Sequence, residues 1–151
     1  MPLTIHQESP LTDDAHRLIE GSEQALRAVY TPDECFTFSA KQLDDPAISF
    51  LVARLDGHAI GCVALVDLGD YGEVKRLFVD PASRGTGAAR ALMARLETTA
   101  RATGHTEIML ETGEKLAAAV ALYHALGFTR RGPFGDYEDH PASLFMAKPL
   151  G

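Results

Sequence analysis

The chain has 151 residues, 46% of them hydrophobic and 23% charged, and carries a net charge of −7 at neutral pH. That length suits one domain over residues 1–151, with room for a single sizeable core. The acidic balance argues against nonspecific nucleic-acid binding and against a polybasic membrane contact, and no apolar run is long enough to span a bilayer.

The opening stretch, Met1 to Glu8, lacks the basic region and apolar core of a signal peptide, so a cytoplasmic protein is expected. Leu3 to Gln7 reads as a first strand. Thr12-Asp13-Asp14 offers a cap to a helix running to about Tyr30, with Leu18, Ile19, Leu26 and Val29 as its buried face. Thr31-Pro32 ends that helix. A short second helix is expected over Ser39 to Asp44. Two strands follow, Ile48 to Leu55 and Ala59 to Asp67, joined by the hairpin signal Asp56-Gly57. A fourth strand runs from Glu73 to Val79. The helix from Gly87 to about Thr103 puts Ala89, Leu92, Met93, Leu96 and Ala100 on one face and Arg90, Glu97 and Arg101 on the other. Gly104 terminates it, and Thr106 to Glu111 forms a fifth strand. Lys115 to Leu126 is a further helix ended by Gly127, and the strands Phe128 to Arg131 and Ser143 to Lys148 flank a loop from Gly132 to Ala142. The pattern predicts an α/β sandwich with helices on a largely antiparallel sheet. Cys35 and Cys62 are isolated and read as reduced, half-buried thiols, and six scattered histidines without ligand spacing predict no metal.

The junction after the fourth strand carries the strongest signal. Val79-Asp80-Pro81-Ala82-Ser83-Arg84-Gly85-Thr86-Gly87-Ala88-Ala89-Arg90 runs from a strand through a glycine loop directly into a helix. The first amides of a helix have no partner within it, and the positive end of its dipole points the same way. Gly85 and Gly87 leave those amides open to an anion, and Arg84 adds a fixed charge. From Lys75 to Arg101, six cations face two carboxylates, which suits a polyanionic ligand. A P-loop would need a lysine after Gly87, and a dinucleotide fingerprint would need glycine where Arg90 stands. The pattern Arg/Gln-x-x-Gly-x-Gly/Ala is met by Arg84, Gly87 and Ala89. Taken alone, the loop also reads as a plain glycine turn before an alanine-rich helix.

A second match stands downstream, Ala119-Val120-Ala121-Leu122-Tyr123-His124-Ala125-Leu126-Gly127-Phe128. Together the two motifs resemble the GNAT N-acetyltransferase superfamily, at least from Gly72 to Gly151. The resemblance implies a mixed, mostly antiparallel sheet flanked by helices and splayed between the fourth and fifth strands. It implies acetyl-CoA as cofactor, with the pyrophosphate on Arg84, Gly85, Thr86, Gly87, Ala88, Ala89 and Arg90. The pantetheine arm would pair with the backbone of Leu77, Phe78 and Val79. Tyr123 stands where the family's tyrosine protonates or hydrogen-bonds the CoA sulfur. Leu116 departs from the family, which often has an asparagine there against the cofactor arm.

Two glutamates compete as general base. Glu73 stands six residues before Val79, where one branch of the family keeps its catalytic glutamate. Glu111 stands twelve residues before Tyr123, a spacing that resembles the ribosomal-protein acetyltransferase branch. Each also reads as a strand-end carboxylate paired with a cation: Lys75 or Arg76 for Glu73, Lys115 for Glu111. The stretches Leu110 to Gly113, Pro133 to Tyr137 and Ser143 to Lys148 resemble a group of small bacterial GNATs. Arg76, Arg130 and Arg131 are placed to reach an anionic substrate group, and Phe134 and Tyr137 to wall an apolar one.

The resulting expectation is direct acetyl transfer to a small amine or amino-acid-like molecule, without nucleic-acid or membrane partners. A homodimer is compatible with the family. Acetylation of a protein α-amine or lysine, and a non-catalytic acyl-CoA sensor, are the alternatives.

Overall fold

The structure is a computed structural model, and it describes residues 2–31 and 39–150. Seven strands form one sheet: β1 (Leu3–Gln7), β2 (Ile48–Leu55), β3 (His58–Asp67), β4 (Tyr71–Val79), β5 (Glu107–Thr112), β6 (Thr129–Arg131) and β7 (Leu144–Pro149). Their spatial order is β1-β2-β3-β4-β5-β7-β6, and every pair is antiparallel except β4 with β5. The helices are α1 (Asp13–Arg27), α2 (Ala40–Leu43), α3 (Ala88–Thr103) and α4 (Ala117–Ala125). Among the described residues no helix is long and apolar enough to cross a membrane.

Local chemistry sets the element ends. The Thr12 hydroxyl accepts from the Ala15 amide at 3.0 Å, and Asp13 and Asp14 lie in the first turn of α1, where the dipole favours negative charge. Ser39 and Gln42 close a reciprocal capping box on α2. Asp56 (φ 52°) and Gly57 (φ 85°) both take the left-handed conformation that a tight hairpin turn requires.

Side chains alternate across the sheet and divide the core. Val63, Leu65, Val74, Ile108 and Leu110 pack on one face beneath Leu92, Met93 and Leu96 of α3. Phe50, Val52, Cys62, Ala64 and Phe78 pack on the other beneath Leu18 and Ile19 of α1. Gly21 lets α1 approach β4 closely, since a Cβ there would lie 2.8 Å from the Phe78 ring. A third cluster, Met109, Phe134 and Phe145 with Tyr71 and Tyr137, seats the β6–β7 connection on the sheet.

Three expectations change. The first helix stops at Arg27, not Tyr30, so helical periodicity no longer orients its last turn; Val29 is exposed, Leu26 half-buried and Tyr30 buried. Glu97 is buried instead of solvated, because α3 lies on the sheet and Lys148 of β7 reaches its carboxylate at 2.9 and 3.0 Å, with Arg101 at 3.5 Å. Cys62 is fully buried rather than half-buried, its thiol donating to the Arg76 carbonyl at 3.3 Å. Cys35 lies outside the described residues.

Candidate active site

The site grows from the way β4 and β5 part. Their parallel register runs from Tyr71 with Glu107 to Val74 with Leu110 and then ends. On its other side β4 stays paired with β3, but between Lys75 and Phe78 it carries one extra residue. Arg76 takes φ 60° there, a conformation that costs a non-glycine residue energy, and the bulge swings the end of β4 away from β5. Beyond Val74 the edge of β4 that faced β5 has no strand partner among the described residues.

A cavity of about 680 Å³ opens at this splay. Leu77, Phe78 and Val79 line it from β4, Glu111 and Thr112 from β5, and Leu116 to Ala119 with Tyr123 from α4 and its approach. Arg84 and Ala89 bound it at the start of α3. Gly85 (φ 87°) and Gly87 (φ 85°) shape the loop, and Gly87 begins α3 with no side-chain cap. The first bond along α3 runs from the Ala91 amide to the Gly87 carbonyl, so the amides of Ala88, Ala89 and Arg90 have no partner within the helix. Gly85, Thr86, Gly87 and Arg90 are exposed, and the Thr86 hydroxyl donates to the Ser83 carbonyl at 2.7 Å. An extended polyanion fits these features, with its charged end at the loop and an apolar arm between the strands.

The two glutamates occupy different environments. Glu111 is the first residue of β5 beyond its pairing with β4, is still paired with Phe145 of β7, and lines the cavity. Ser143 donates to its carboxylate at 2.9 Å. Burial pushes its pKa from the ordinary value near 4.5 up to about 7, against the opposing pull of the Ser143 hydroxyl and of Lys75. Glu73 lies one step deeper, opposite Met109, and is 5% exposed. It accepts from the Tyr137 hydroxyl at 2.6 Å and pairs with Lys75 at 3.2 Å, and it does not line the cavity. The Lys115 ammonium lies 5.2 Å from the Tyr30 ring centroid and 3.5 Å from the Val29 carbonyl.

Tyr123 packs its ring against Phe128 in the core beneath α4, while the residue also lines the cavity. Burial raises its pKa, and the Glu111 charge adds to that, so the hydroxyl keeps its proton at neutral pH.

The residues expected to touch the acceptor are spread out. Arg76 lines the cavity, bonded to Glu23 at 2.9 Å and facing Ser22 at 3.4 Å. Phe134 and Tyr137 stack edge-on with each other and with Phe145, beside the cavity rather than in its wall. Arg130 is paired with Glu114 at 2.9 Å, and Arg131 reaches the Met109 sulfur at 3.2 Å. Sequence reasoning missed Tyr30, whose hydroxyl accepts from the Lys115 amide at 3.0 Å and whose ring abuts Gly113, where a Cβ would clash. It also missed Ser143; no local pattern signals either contact. A smaller recess of about 430 Å³ near Asp14, His58 and Asp80 is bridged by Arg17, which bonds Asp80 at 3.1 Å and the Ala59 carbonyl at 2.6 Å.

Residues 13–128 match the model of the Acetyltransferase (GNAT) family. The chain belongs to the GNAT family of acetyltransferases. It is 45% identical over 150 residues to the IAA acetyltransferase of Azospirillum brasilense, covering 98% of each chain. It is 30% identical over 136 residues to the uncharacterised N-acetyltransferase YsnE of Bacillus subtilis, covering 88% of this chain and 90% of that one. Among solved structures, a candidate acyl-CoA N-acyltransferase from Klebsiella pneumoniae superposes with a TM-score of 0.83 at 32% identity, covering 99% and 98% of the two chains. The PaiA N-acetyltransferase of Thermoplasma acidophilum, solved with coenzyme A, shares the fold at a TM-score of 0.77 and 20% identity, covering 99% of each chain. The protein is therefore an acyl-CoA-dependent N-acetyltransferase, and the parted β4–β5 pair with its flanking helices is its GNAT sheet.

The raised pKa of Glu111 has a cost. Above pH 7 the folded protein holds an ionised carboxylate that burial disfavours, whereas the unfolded chain ionises near pH 4.5. Stability should therefore fall as pH rises between these values, and below 4.5 the penalty vanishes because both states are protonated. Glu111→Gln should stabilise the fold at pH 8 by on the order of 2 kcal/mol and give no gain near pH 4. Denaturant titrations at the two pH values check this.

Proposed function

We propose that the protein moves an acetyl group directly from acetyl-CoA to the primary amine of a small amine or amino-acid-like acceptor. The observation that carries this reading is the pairing of groups on the cavity wall: Glu111, with a proton affinity near neutrality, and Tyr123, which keeps its proton. Acetyl-CoA supplies the acetyl group as a thioester, and the transfer moves one proton off the amine nitrogen and one onto the leaving sulfur. Glu111 accepts the first, directly or through a water, because a base that titrates near 7 is half ionised at working pH and still basic enough to act. The Tyr123 hydroxyl donates toward the sulfur. Leu77, Phe78 and Val79 hold the arm through their backbone, and the amides of residues 85–90 with Arg84 hold the pyrophosphate.

Direct transfer is supported by the state of Cys62. Burial pushes its thiol up to about 12, so it offers no thiolate nucleophile near neutral pH. A small acceptor is supported by Ser22, Ala25, Leu26 and Tyr30, which line the cavity beside Gly113 and Lys115.

The test is free-thiol release from acetyl-CoA across a panel of amino acids, amines and peptides. Turnover with small amines and none with peptides is expected. Turnover with peptides alone would make the protein a peptide or protein acetyltransferase. Tight acetyl-CoA binding without turnover on any amine would leave the acyl-CoA sensor.

Tyr123→Phe should lower kcat by roughly 10- to 100-fold, at or below the low end for acid catalysis, because a thiolate leaves readily with a reference thiol pKa of about 8.5. Acetyl-CoA affinity should change by less than about tenfold, since one neutral hydrogen bond is worth roughly 0.5–1.5 kcal/mol net. Steady-state kinetics with a thermal melt as control would reveal this, and wild-type turnover in a folded variant would leave Tyr123 a packing residue.

A further inference from the structure

The last register pair of β4 and β5 is Val74 with Leu110. The next positions on the two strands are Lys75 and Glu111. Because side chains alternate, Lys75 shares a face with Glu73, and Glu111 shares one with Met109, the register partner of Glu73. The ammonium and the carboxylate thus flank the point where the strands part, and both line the cavity.

The ammonium is held in place. Lys75 is 8% exposed, its Nζ lies 3.2 Å from the Glu73 carboxylate, and it donates to the Tyr137 hydroxyl. Tyr137 donates in turn to Glu73 at 2.6 Å, which closes a three-membered ring of contacts. The Tyr137 ring is wedged between Phe134 and Phe145, with centroids 5.2 and 5.5 Å away. A lysine on a long flexible stem has many positions open to it; burial and this clamp restrict them.

We propose that Lys75 is a positioning residue for acetyl transfer: clamped by Glu73 and Tyr137, its ammonium stands across the splay from Glu111 and favours the ionised carboxylate that takes the amine proton. The inference rests on the reading of Glu111 as base. Among the described residues, the titratable and polar groups facing Glu111 are Glu73 and Lys75 from β4, Tyr137 and Ser143 from the β6–β7 connection, and Tyr123 from α4. Lys75 is the cation of that set. Its pull on Glu111 exceeds the push of Glu73, and Tyr137 is held as a neutral phenol by burial and by its bond to Glu73. The seated β6–β7 connection therefore supplies both Ser143, which bonds the base, and Tyr137, which holds the base's counter-charge.

The experiment is a carboxylate carbon NMR titration of protein labelled at glutamate, with the Glu111 signal assigned through Glu111→Gln. It is run beside the pH profile of kcat/KM. Lys75→Gln keeps a donor for Glu73 and Tyr137 but loses the charge; it should raise the Glu111 titration midpoint by about one pH unit, as loss of a nearby opposite charge does. The acid limb of kcat/KM should move by the same amount, about a tenfold loss at pH 6. Lys75→Arg should restore both. A moved NMR midpoint with an unmoved acid limb would support the electrostatic role of Lys75 and remove Glu111 as the base. Should Lys75→Gln fail to fold, Tyr137→Phe keeps the packed ring and removes one of the contacts that hold the ammonium, and the midpoint must then move by at least about 0.3 unit. An unmoved Glu111 midpoint in a folded variant overturns the proposal.

Discussion

Glu111→Gln is expected to lower kcat/KM by about 100- to 1000-fold near pH 8 and to abolish the rise of rate through pH 7, while acetyl-CoA affinity stays within about threefold. The size follows from what a positioned base contributes, and the pH signature follows from the burial that raises this carboxylate. At pH 6 only about a tenth of Glu111 is ionised, so the gap between wild type and variant should narrow there by about tenfold. Glu73→Gln should behave differently. Glu73 is not in the cavity wall, so its loss should cost less than about tenfold in kcat/KM. It should cost stability, because the buried Lys75 ammonium would lose the carboxylate it pairs with. Kinetics of both variants from pH 5.5 to 9, with melting curves, separate the roles. A large loss in Glu73→Gln with an intact acid limb in Glu111→Gln would transfer the base to Glu73.

Gly87→Asp should weaken acetyl-CoA binding at least about 100-fold. A Cβ at Gly87 meets no atom within 4 Å, so the side chain has room and the fold should survive. What changes is the charge beside the uncapped amides at the start of α3, the proposed seat of the pyrophosphate. Losing one or two charge-assisted bonds at roughly 1.5–3 kcal/mol each accounts for the magnitude. Gly87→Ala is the control: it carries the same strain at φ 85° without the charge, and should cost affinity much less. Isothermal titration of the two variants reads the difference, and equal affinity of wild type and a folded Gly87→Asp would remove the loop from cofactor binding.

The parts of this protein that were legible in the sequence are those governed by local rules. The Asp56-Gly57 turn, the Thr12 cap, the uncapped glycine start of α3 and the glycine after it each follow from what a few adjacent residues can do. β2 runs over the expected residues, and the other elements begin or end within a few positions of expectation. What stayed hidden depends on contacts between distant segments. Tyr137 reaches Glu73 from 64 positions away, and Glu97 is buried because Lys148 comes to it from 51 positions away. Arg76 adopts a positive φ that no arginine announces, since it lies in the bulge of the β3–β4 register. The two glutamates show the limit most clearly. Both were identifiable as candidates by spacing, but their different surroundings follow from the β6–β7 connection, which puts Ser143 against Glu111 and Tyr137 against Glu73.

In the proposed complex the acyl-CoA arm lies where β4 and β5 part, between the glycine loop and Tyr123. A crystal structure of the protein with coenzyme A tests this placement. The pyrophosphate is expected on the amides of residues 85–90, the arm along the backbone of Leu77 to Val79, and the sulfur within hydrogen-bond reach of the Tyr123 hydroxyl. Coenzyme A bound elsewhere, as in the recess beside Asp14 and Asp80, or a sulfur remote from both Tyr123 and Glu111, would contradict it.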